Sequence, residues 1–353
     1  MTGLPRLALP LVAVLAVTAG CTATDEPAAS DGGTSTASPA PTPSTTPEPP
    51  ATEPDATEPD EPESDQPDSR PRDPKPHPSS VEALIERRYN GRGLRVGQVL
   101  GEFGAYTRFA VTYRSEDLRI SGIMNVPAGR GPFPVLVLNH GYIEPAIYVT
   151  EQGLAREQDW LARREYVVLH TDYRNHAGSD NDPNVDYELR LPYAVDVVNA
   201  VRAVKRSDLP YLDRDRVGLL GRSMGGNVTF NALVARPGLA ADNWRQFYQP
   251  SEDRSDVNAR MARTYGLPAE SPEFWRAASP RRYLDRLEQP VLVHHGALDD
   301  SCPLAWSRAT VRAMREQGQR VRLATYAGEG HTLYAQWPRS MMRTTAFFDQ
   351  NLA

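Results

Sequence analysis

Cysteine and lysine are almost missing from this sequence, with two of each among 353 residues. The two cysteines, Cys21 and Cys302, exclude a disulfide scaffold, and a bridge between them would have to cross a long segment poor in apolar residues. His and Cys nowhere have the spacing of a zinc site, and no glycine-rich phosphate-binding loop is present. We therefore expect catalysis to need no metal and no other cofactor.

The acidic net charge of -6 comes from one segment. Residues 22–80 hold 13 acidic residues against three basic ones, together with 15 of the 32 prolines and almost no large apolar side chains. This composition predicts a disordered, extended tether. The remaining domain, residues 81–353, is close to neutral and has no basic stripe, so a nucleic acid is not an expected partner.

The N-terminus has the pattern of an export signal. Arg6 precedes an apolar run over residues 7–19, which is too short to span a bilayer comfortably. Ala19 and Gly20 directly before Cys21 resemble a bacterial lipobox. We therefore predict that residues 1–21 are a lipoprotein signal, that a lipid on Cys21 anchors the exported protein, and that the domain lies outside the cytoplasm at the cell membrane. An ordinary secretory signal with an incidental cysteine is the alternative.

Residues 81–353 have the pattern of a single α/β domain. Two strand-like runs separated by charged residues predict a hairpin, at 109–113 and 120–126. Four continuous apolar runs predict buried parallel strands, at 135–138, 167–169, 217–220 and 291–293. Helical stretches alternate with them, at 151–164, 192–206, 227–235, 305–317 and 336–351. The alternation predicts a mostly parallel, doubly wound sheet, and the polar, aromatic-rich stretch 237–283 predicts a helical cap insertion.

One short motif has the pattern of a catalytic serine. Ser223 lies in a Gly-x-Ser-x-Gly sequence directly between an apolar strand and a helix. In that setting a serine occupies a sharp turn at the carboxyl end of a sheet, and Gly221 and Gly225 let the turn pack tightly. A glycine-rich turn with a capping serine is the alternative.

A serine nucleophile needs a base, and the base needs an orienting carboxylate. Asp299 and Asp300 follow the apolar run at 290–293, and His331 lies in a Gly-Glu-Gly-His loop after the strand-like run 322–326. Taken singly, Asp299 could cap the next helix and His331 could bond to backbone. The chain order Ser223, Asp299, His331 is nevertheless that of α/β hydrolases, and the three positions together predict a catalytic triad.

Residues 107–353 resemble the α/β-hydrolase superfamily, and in particular the catalytic domain of prolyl oligopeptidase-like hydrolases, which include acylaminoacyl-peptidases and esterases. Four local matches carry the resemblance: 139–142, 172–174, 221–226, and 278–280 leading to 295–299. The resemblance implies that Asp299, rather than Asp300, is the triad carboxylate. It also implies that the backbone N–H groups of Tyr142 and Met224 bind the oxyanion. Tyr142 could instead contribute its hydroxyl or line the pocket.

The expected function is a lipid-anchored serine hydrolase that cleaves acyl esters of small molecules through an acyl-enzyme. Peptidases that the chain resembles usually carry a large propeller domain ahead of the hydrolase domain. Here the predicted tether stands in the place of the propeller, which favours an esterase over a peptidase. A serine peptidase acting on short peptides is the alternative enzyme. A non-catalytic cell-surface binding lipoprotein is the alternative from another class.

An acidic stretch at 180–188 alternates in the manner of an oxygen-ligand loop for calcium. It has Val185 where an EF-hand needs glycine and Leu191 where an EF-hand needs glutamate. We therefore expect a solvated loop, with calcium binding as the open alternative.

Overall fold

The structure, a computed structural model, describes residues 11–16, 76–235 and 255–352, and for 11–16 and 255–258 it describes the backbone alone. The described residues belong to one compact unit. Residues 23–75, the bulk of the predicted tether, lie outside the described residues. The last residues of the predicted tether belong to the folded domain, because the Ser80 hydroxyl caps α1 (Val81–Glu86) by accepting a hydrogen bond from the Ala83 N–H at 3.1 Å.

A nine-stranded sheet forms the centre of the domain, in the order β2-β3-β4-β6-β5-β7-β1-β8-β9. Its strands are β1 (Leu11–Ala16), β2 (Arg92–Glu102), β3 (Tyr106–Ser115), β4 (Leu118–Pro127), β5 (Phe133–Asn139), β6 (Val167–Thr171), β7 (Leu212–Arg222), β8 (Val291–Gly296) and β9 (Val321–Tyr326). From β6 across the sheet to β9, neighbouring strands are parallel. On the other side of β6 the pairs are antiparallel: β2 with β3, β3 with β4, and β4 with β6. The predicted α/β fold with a mostly parallel sheet is confirmed.

The four apolar runs predicted as parallel strands are confirmed as β5, β6, β7 and β8. In β5, Val135 and Val137 belong to one core cluster, while Leu136 and Leu138 belong to a second cluster. All four side chains are fully buried, because both faces of the strand are covered. A strand buried on both faces has no polar positions, which is why its sequence is a continuous apolar run.

The antiparallel edge contains the predicted hairpin and one strand that the sequence analysis does not predict. The hairpin is confirmed as β3 and β4, which pair from Tyr106 opposite Pro127 to Ser115 opposite Leu118. The additional edge strand, β2, is exposed along most of its length and its pairing is interrupted by irregularities. Such a strand lacks the alternation of apolar and polar residues that marks a half-buried strand.

The N-terminal strand β1 occupies an interior position of the sheet. It pairs in parallel with β7 over six residues, from Leu11 opposite Val217 to Ala16 opposite Arg222. It also pairs in parallel with β8 over four residues, ending with Ala16 opposite His294. The sequence analysis assigns the same residues to an export signal, and that assignment stays a prediction.

Helices connect and cover the parallel strands. They are α2 (Ala155–Ala162), α3 (Leu191–Lys205), α4 (Met224–Ala235), α5 (Ser255–Tyr265), α6 (Pro272–Ala277), a 3-10 helix (Pro280–Arg286), α7 (Leu304–Glu316) and α8 (Trp337–Asn351). The five helices predicted along the alternation correspond to α2, α3, α4, α7 and α8. Within the described ranges, no helix is both long and apolar enough to cross a bilayer.

The predicted cap insertion is described from residue 255 onward, where it contains α5, α6 and the 3-10 helix. The rings of Tyr265 and Phe274 stack with centroids 4.4 Å apart, and His77 packs edge-on against both. Trp275 is buried beside them. These aromatic side chains therefore pack against one another and against the start of the domain. Residues 237–254 of the insertion lie outside the described residues.

Candidate active site

Ser223 lies at the sharp turn between β7, which ends at Arg222, and α4, which begins at Met224. Its φ angle is 58°, in the left-handed region that a residue with a side chain adopts at a cost of about 1–3 kcal/mol. The turn continues directly into the helix, since the Gly226 N–H donates to the Ser223 carbonyl at 2.8 Å. The predicted strand-to-helix setting of the serine is therefore what the structure has.

The two glycines beside Ser223 are required by close backbone approaches. A Cβ on Gly221 would lie 2.1 Å from the Gly225 carbonyl oxygen, and a Cβ on Gly225 would lie 2.0 Å from the Asn139 carbonyl oxygen. Both distances are far below any contact that a real side chain makes. The glycines therefore let the turn pack against itself and against the end of β5.

His331 connects the serine to a carboxylate. Its Nε2 lies 3.2 Å from the Ser223 Oγ, and its Nδ1 lies 3.1 Å from each carboxylate oxygen of Asp299. The three side chains come from the ends of β7, β8 and β9, which are parallel strands whose carboxyl ends meet at the same edge of the sheet. This is the arrangement in which an imidazole can accept the proton of a serine hydroxyl.

Asp299 is held by several donors in addition to His331. Its Oδ1 accepts hydrogen bonds from the backbone N–H groups of Cys302 at 2.8 Å and Ser301 at 3.1 Å. Its side chain is fully buried, and burial alone would raise its pKa. The hydrogen bonds from His331 and Cys302 outweigh that effect and lower the pKa, so the carboxylate is charged at neutral pH. The neighbouring Asp300 is exposed and accepts a hydrogen bond from the Ser301 hydroxyl instead.

The loop that carries His331 is fixed by a contact with the loop after β8. A Cβ on Gly296 would lie 2.1 Å from the Gly330 carbonyl oxygen, and the Leu298 N–H donates to the Glu329 carbonyl at 2.9 Å. The side chain of Glu329 is buried and accepts hydrogen bonds from the N–H groups of Tyr334, at 2.7 Å, and Gln336, at 2.5 Å. Glu329 was not among the predicted site residues, although its place in Gly-Glu-Gly-His, two residues before His331, is visible in the sequence.

The segment after β5 passes next to Ser223. A Cβ on Gly141 would lie 3.1 Å from the Ser223 Cβ, which places the backbone leading to Tyr142 beside Ser223. The Tyr142 hydroxyl donates to Glu144 at 2.5 Å. Burial and this carboxylate raise the pKa of Tyr142 to about 12, so the hydroxyl is protonated at neutral pH. Met224 is the first residue of α4, directly after the serine.

Arg190 braces this region, and the sequence analysis did not single it out. Its guanidinium carbon lies 4.3 Å from the centre of the Tyr142 ring, and its Nη1 lies 3.5 Å from the Met224 sulfur. Its Nε donates to Asp186 at 2.7 Å. One cation, whose side chain is 10% exposed, therefore contacts the two residues predicted to bind the oxyanion.

Three aspartates of the acidic stretch at 180–188 pair with arginines. Asp180 lies 3.7 Å from Arg119, and Asp182 accepts a hydrogen bond from Arg174 at 2.9 Å, as Asp186 does from Arg190. Within the described ranges no group of His, Cys, Asp and Glu has the arrangement of a metal site. In the described residues these carboxylates form ion pairs with arginines, and one of those arginines, Arg190, contacts the candidate active site.

The His and Asp of the segments 139–142 and 172–174 are structural. His140 is fully buried, its ring stacks on Tyr148 with centroids 4.6 Å apart, and burial lowers its pKa well below the usual value. Asp172 accepts hydrogen bonds from Ser121, Tyr148 and Thr150. These groups support the turn after β5 without contacting the serine. Cys302 is buried beside Asp299, and Cys21 lies outside the described residues.

Fold and site together define a class of protein. A mostly parallel sheet covered by helices, with a serine at the turn after one strand and a histidine and an aspartate at the ends of two others, is an α/β hydrolase of the serine type. Residues 153–353 match the model of the prolyl oligopeptidase family, Peptidase_S9. The chain therefore belongs to the prolyl oligopeptidase family and is a serine hydrolase. Membership of this family favours an enzyme over the non-catalytic alternative.

Three known proteins are similar to this chain in sequence or in fold. It is 25% identical over 270 residues to the uncharacterized peptidase YuxL of Bacillus subtilis, covering 69% of this chain and 39% of that protein. An acetyl xylan esterase from Paenibacillus sp. R4 shares the fold with a TM-score of 0.57 and 18% identity, covering 77% of this chain and 92% of the esterase. The acylaminoacyl peptidase of Pyrococcus horikoshii shares it with a TM-score of 0.51 and 23% identity, covering 71% of this chain and 42% of the peptidase. The chain thus spans well under half the length of the curated relative.

Proposed function

We propose that this hydrolase cleaves small acyl esters through an acyl-enzyme formed on Ser223. The observation that carries the proposal is the unbroken hydrogen-bonded series from the Ser223 Oγ through His331 to Asp299, with distances of 3.2 and 3.1 Å. Such a series activates a hydroxyl that is otherwise a poor nucleophile. In this proposal Ser223 is the nucleophile, His331 is the base, and Asp299 orients the base.

The reaction proceeds in two halves. The Ser223 Oγ attacks the acyl carbonyl carbon while the His331 Nε2 takes the hydroxyl proton, and the same proton is then given to the departing alcohol. Water attacks the resulting acyl-enzyme with His331 again acting as base, which releases the acid and restores the serine. Asp299 accepts the Nδ1–H throughout, which keeps Nε2 able to accept a proton.

The oxyanion is proposed to bind to the backbone N–H groups of Tyr142 and Met224. The approach of Gly141 to Ser223 supports this placement, because it brings the backbone before Tyr142 to the nucleophile. Met224 supports it by following the nucleophile at the start of α4. Donors held by the fold stabilise the developing charge without reorganising, and one such donor is worth about 3–4 kcal/mol of barrier.

Ester substrates are favoured over peptides by the state of the nearby carboxylates. A peptidase that grips a substrate amino terminus needs a carboxylate available to the ammonium group. Near the proposed oxyanion site, Glu144 accepts the Tyr142 hydroxyl hydrogen bond and Asp186 accepts one from Arg190. Both carboxylates are thus occupied with partners of this chain.

The proposal is tested with two measurements. A fluorophosphonate probe should label the wild-type protein at Ser223, and Ser223→Ala should abolish labelling. The second measurement compares kcat/KM for p-nitrophenyl acetate and butyrate with kcat/KM for aminoacyl and acyl-aminoacyl p-nitroanilides, using a generic esterase to correct for the slower chemistry of anilides. If corrected values for the anilides equal those for the esters, the peptidase alternative replaces the esterase proposal.

Export and attachment to a membrane through Cys21 stay predictions. Labelling with palmitate in cells, compared between the wild type and Cys21→Ala, tests them directly. Palmitate incorporation that Cys21→Ala abolishes, together with release of that variant from membranes, is the expected result if the lipobox is used.

A further inference from the structure

The position between β7 and β8 is a gap in the sheet that only the N-terminus fills among the described residues. On their outer sides, β7 pairs with β5 and β8 pairs with β9. On their facing sides, both pair with β1. Neighbouring strands lie about 4.8 Å apart, so removing β1 would leave β7 and β8 about 10 Å from each other.

The chain between β7 and β8 has no apolar run that suits this position. After α4 come residues 236–254, which lie outside the described residues, and then α5, α6 and the 3-10 helix. Residues 236–254 contain prolines at 237 and 250, and their longest apolar run is the three residues 239–241. An interior parallel strand needs a continuous apolar run of at least about four residues. Leu11–Ala16 is such a run, with six apolar residues.

Both neighbours of β1 are built as interior strands. In β7, Val217 and Leu219 are at most 1% exposed, and in β8 the same is true of Val291 and Val293. If β1 were missing, the backbone N–H and C=O groups of β7 and β8 that now pair with it would be buried without partners, which destabilises the fold. The fold therefore depends on an occupant between these two strands.

The same position sets the spacing of the candidate active site. β7 ends one residue before Ser223, and β8 leads into the loop with Asp299. Ala16 is the Cα partner of both Arg222 and His294. Because β1 lies between β7 and β8, it sets the separation between Ser223 and Asp299, the two residues that His331 connects.

We propose that Leu11–Ala16 is a permanent strand of the active enzyme, bound in a strand-accepting groove between β7 and β8. The groove accepts a parallel, apolar segment of about six residues, and the segment that fills it is this chain's own N-terminus. One molecule cannot both keep this strand and lose residues 1–20 to a signal peptidase. The active enzyme is therefore the chain that retains its N-terminus.

Hydrogen exchange on the full chain, produced without export, tests the pairing directly. The amides of residues 12–16 should exchange as slowly as those of Val135–Leu138 in β5, because both lie inside the same sheet. Exchange of residues 12–16 at the rate of an unprotected peptide would overturn the proposal. This measurement needs no variant and is independent of the catalytic assignment.

Two variants test whether the strand is needed. A chain that begins at Thr22 lacks β1, and Val14→Pro removes a backbone N–H in the middle of it. Both should lower the melting temperature by about 10 °C or more, and should lower kcat/KM for p-nitrophenyl acetate at least tenfold. The matched control is Ser35→Pro, which introduces a proline outside Leu11–Ala16 and should leave the melting temperature and kcat/KM at the wild-type values. A chain beginning at Thr22 with the melting temperature and kcat/KM of the full chain would refute the proposal.

The exported form provides a second way to contradict it. Enzyme isolated from membranes that carries palmitate on Cys21 as its N-terminal residue lacks β1. If such enzyme has the kcat/KM of the full chain, then the groove does not need Leu11–Ala16. We expect full activity only in chains whose N-terminal peptide includes residues 11–16, as identified by mass spectrometry.

Discussion

Replacing Asp299 by asparagine tests the site through the proton on a single nitrogen. The Oδ1 of Asp299 accepts hydrogen bonds from the N–H groups of Ser301 and Cys302, so in Asp299→Asn the amide oxygen must take this position. The amide NH2 group then faces the His331 Nδ1, which in the wild type donates to the carboxylate. An NH2 group can only donate, so Nδ1 becomes the acceptor and the proton moves to Nε2.

In that tautomer His331 presents an N–H to Ser223 and cannot take its proton. A change of this kind costs a serine hydrolase about 10⁴-fold in kcat, and KM should barely change because the carboxylate does not touch the substrate. The assay is the steady-state hydrolysis of p-nitrophenyl acetate at pH 7.5, together with the rate of fluorophosphonate labelling. Asp300→Asn is the matched control, since its side chain is exposed and its kcat should stay within twofold of the wild type.

Asp299→Asn should also change how the melting temperature depends on pH. Because the pKa of Asp299 is below the usual 3.8, its charge stabilises the fold above about pH 4, and that stabilisation is lost as the pH falls through the lowered pKa. The difference in melting temperature between wild type and Asp299→Asn should therefore be largest at neutral pH and should shrink towards pH 3. A kcat within tenfold of wild type, or an equal loss in Asp300→Asn, would show that Asp299 does not orient the base.

Four further variants have distinct expected results. Ser223→Ala should lose about 10⁶-fold in turnover with an unchanged melting temperature, whereas Ser223→Gly should be equally inactive but more stable by up to about 1 kcal/mol, since glycine adopts a φ of 58° without strain. Glu329→Gln should lower the free energy of unfolding by about 1–3 kcal/mol and reduce kcat, because one of the two oxygens that each accept a backbone N–H becomes an NH2 group, which can only donate; thermal unfolding and kinetics would reveal both effects. Arg190→Met should reduce kcat about tenfold with little change in KM, because contacts to Tyr142 and Met224 are lost; an unchanged kcat would contradict a bracing role.

The sequence predicted the parts of this fold that depend on neighbouring residues. Strands buried on both faces, such as β5, leave a continuous apolar run, and the turn at Ser223 leaves a glycine pattern that few other structures need. The exposed edge strand β2 leaves no such pattern, because its residues pack on one side only and irregularly. It was therefore missed.

The missed parts of the site depend on contacts between distant residues. Arg190 contacts Tyr142 and Met224, which lie far from it in the chain, and nothing local distinguishes it from the many other arginines. The position of β1 is the extreme case, since an apolar run at an N-terminus has the same composition whether it is a signal or an interior strand. Its pairing partners in the structure lie more than 200 residues away, and sequence periodicity contains no information on them.

The pairing of β1 also has a consequence in time. Its partners in β7 and β8 are made long after it, and at about 5–20 residues per second a ribosome needs on the order of 15–60 s to proceed from Ala16 to His294. During that interval the first strand of the sheet has no place to bind and is available to any factor that recognises apolar N-termini. If the predicted export signal is used, capture at a membrane would therefore compete in time with completion of the sheet.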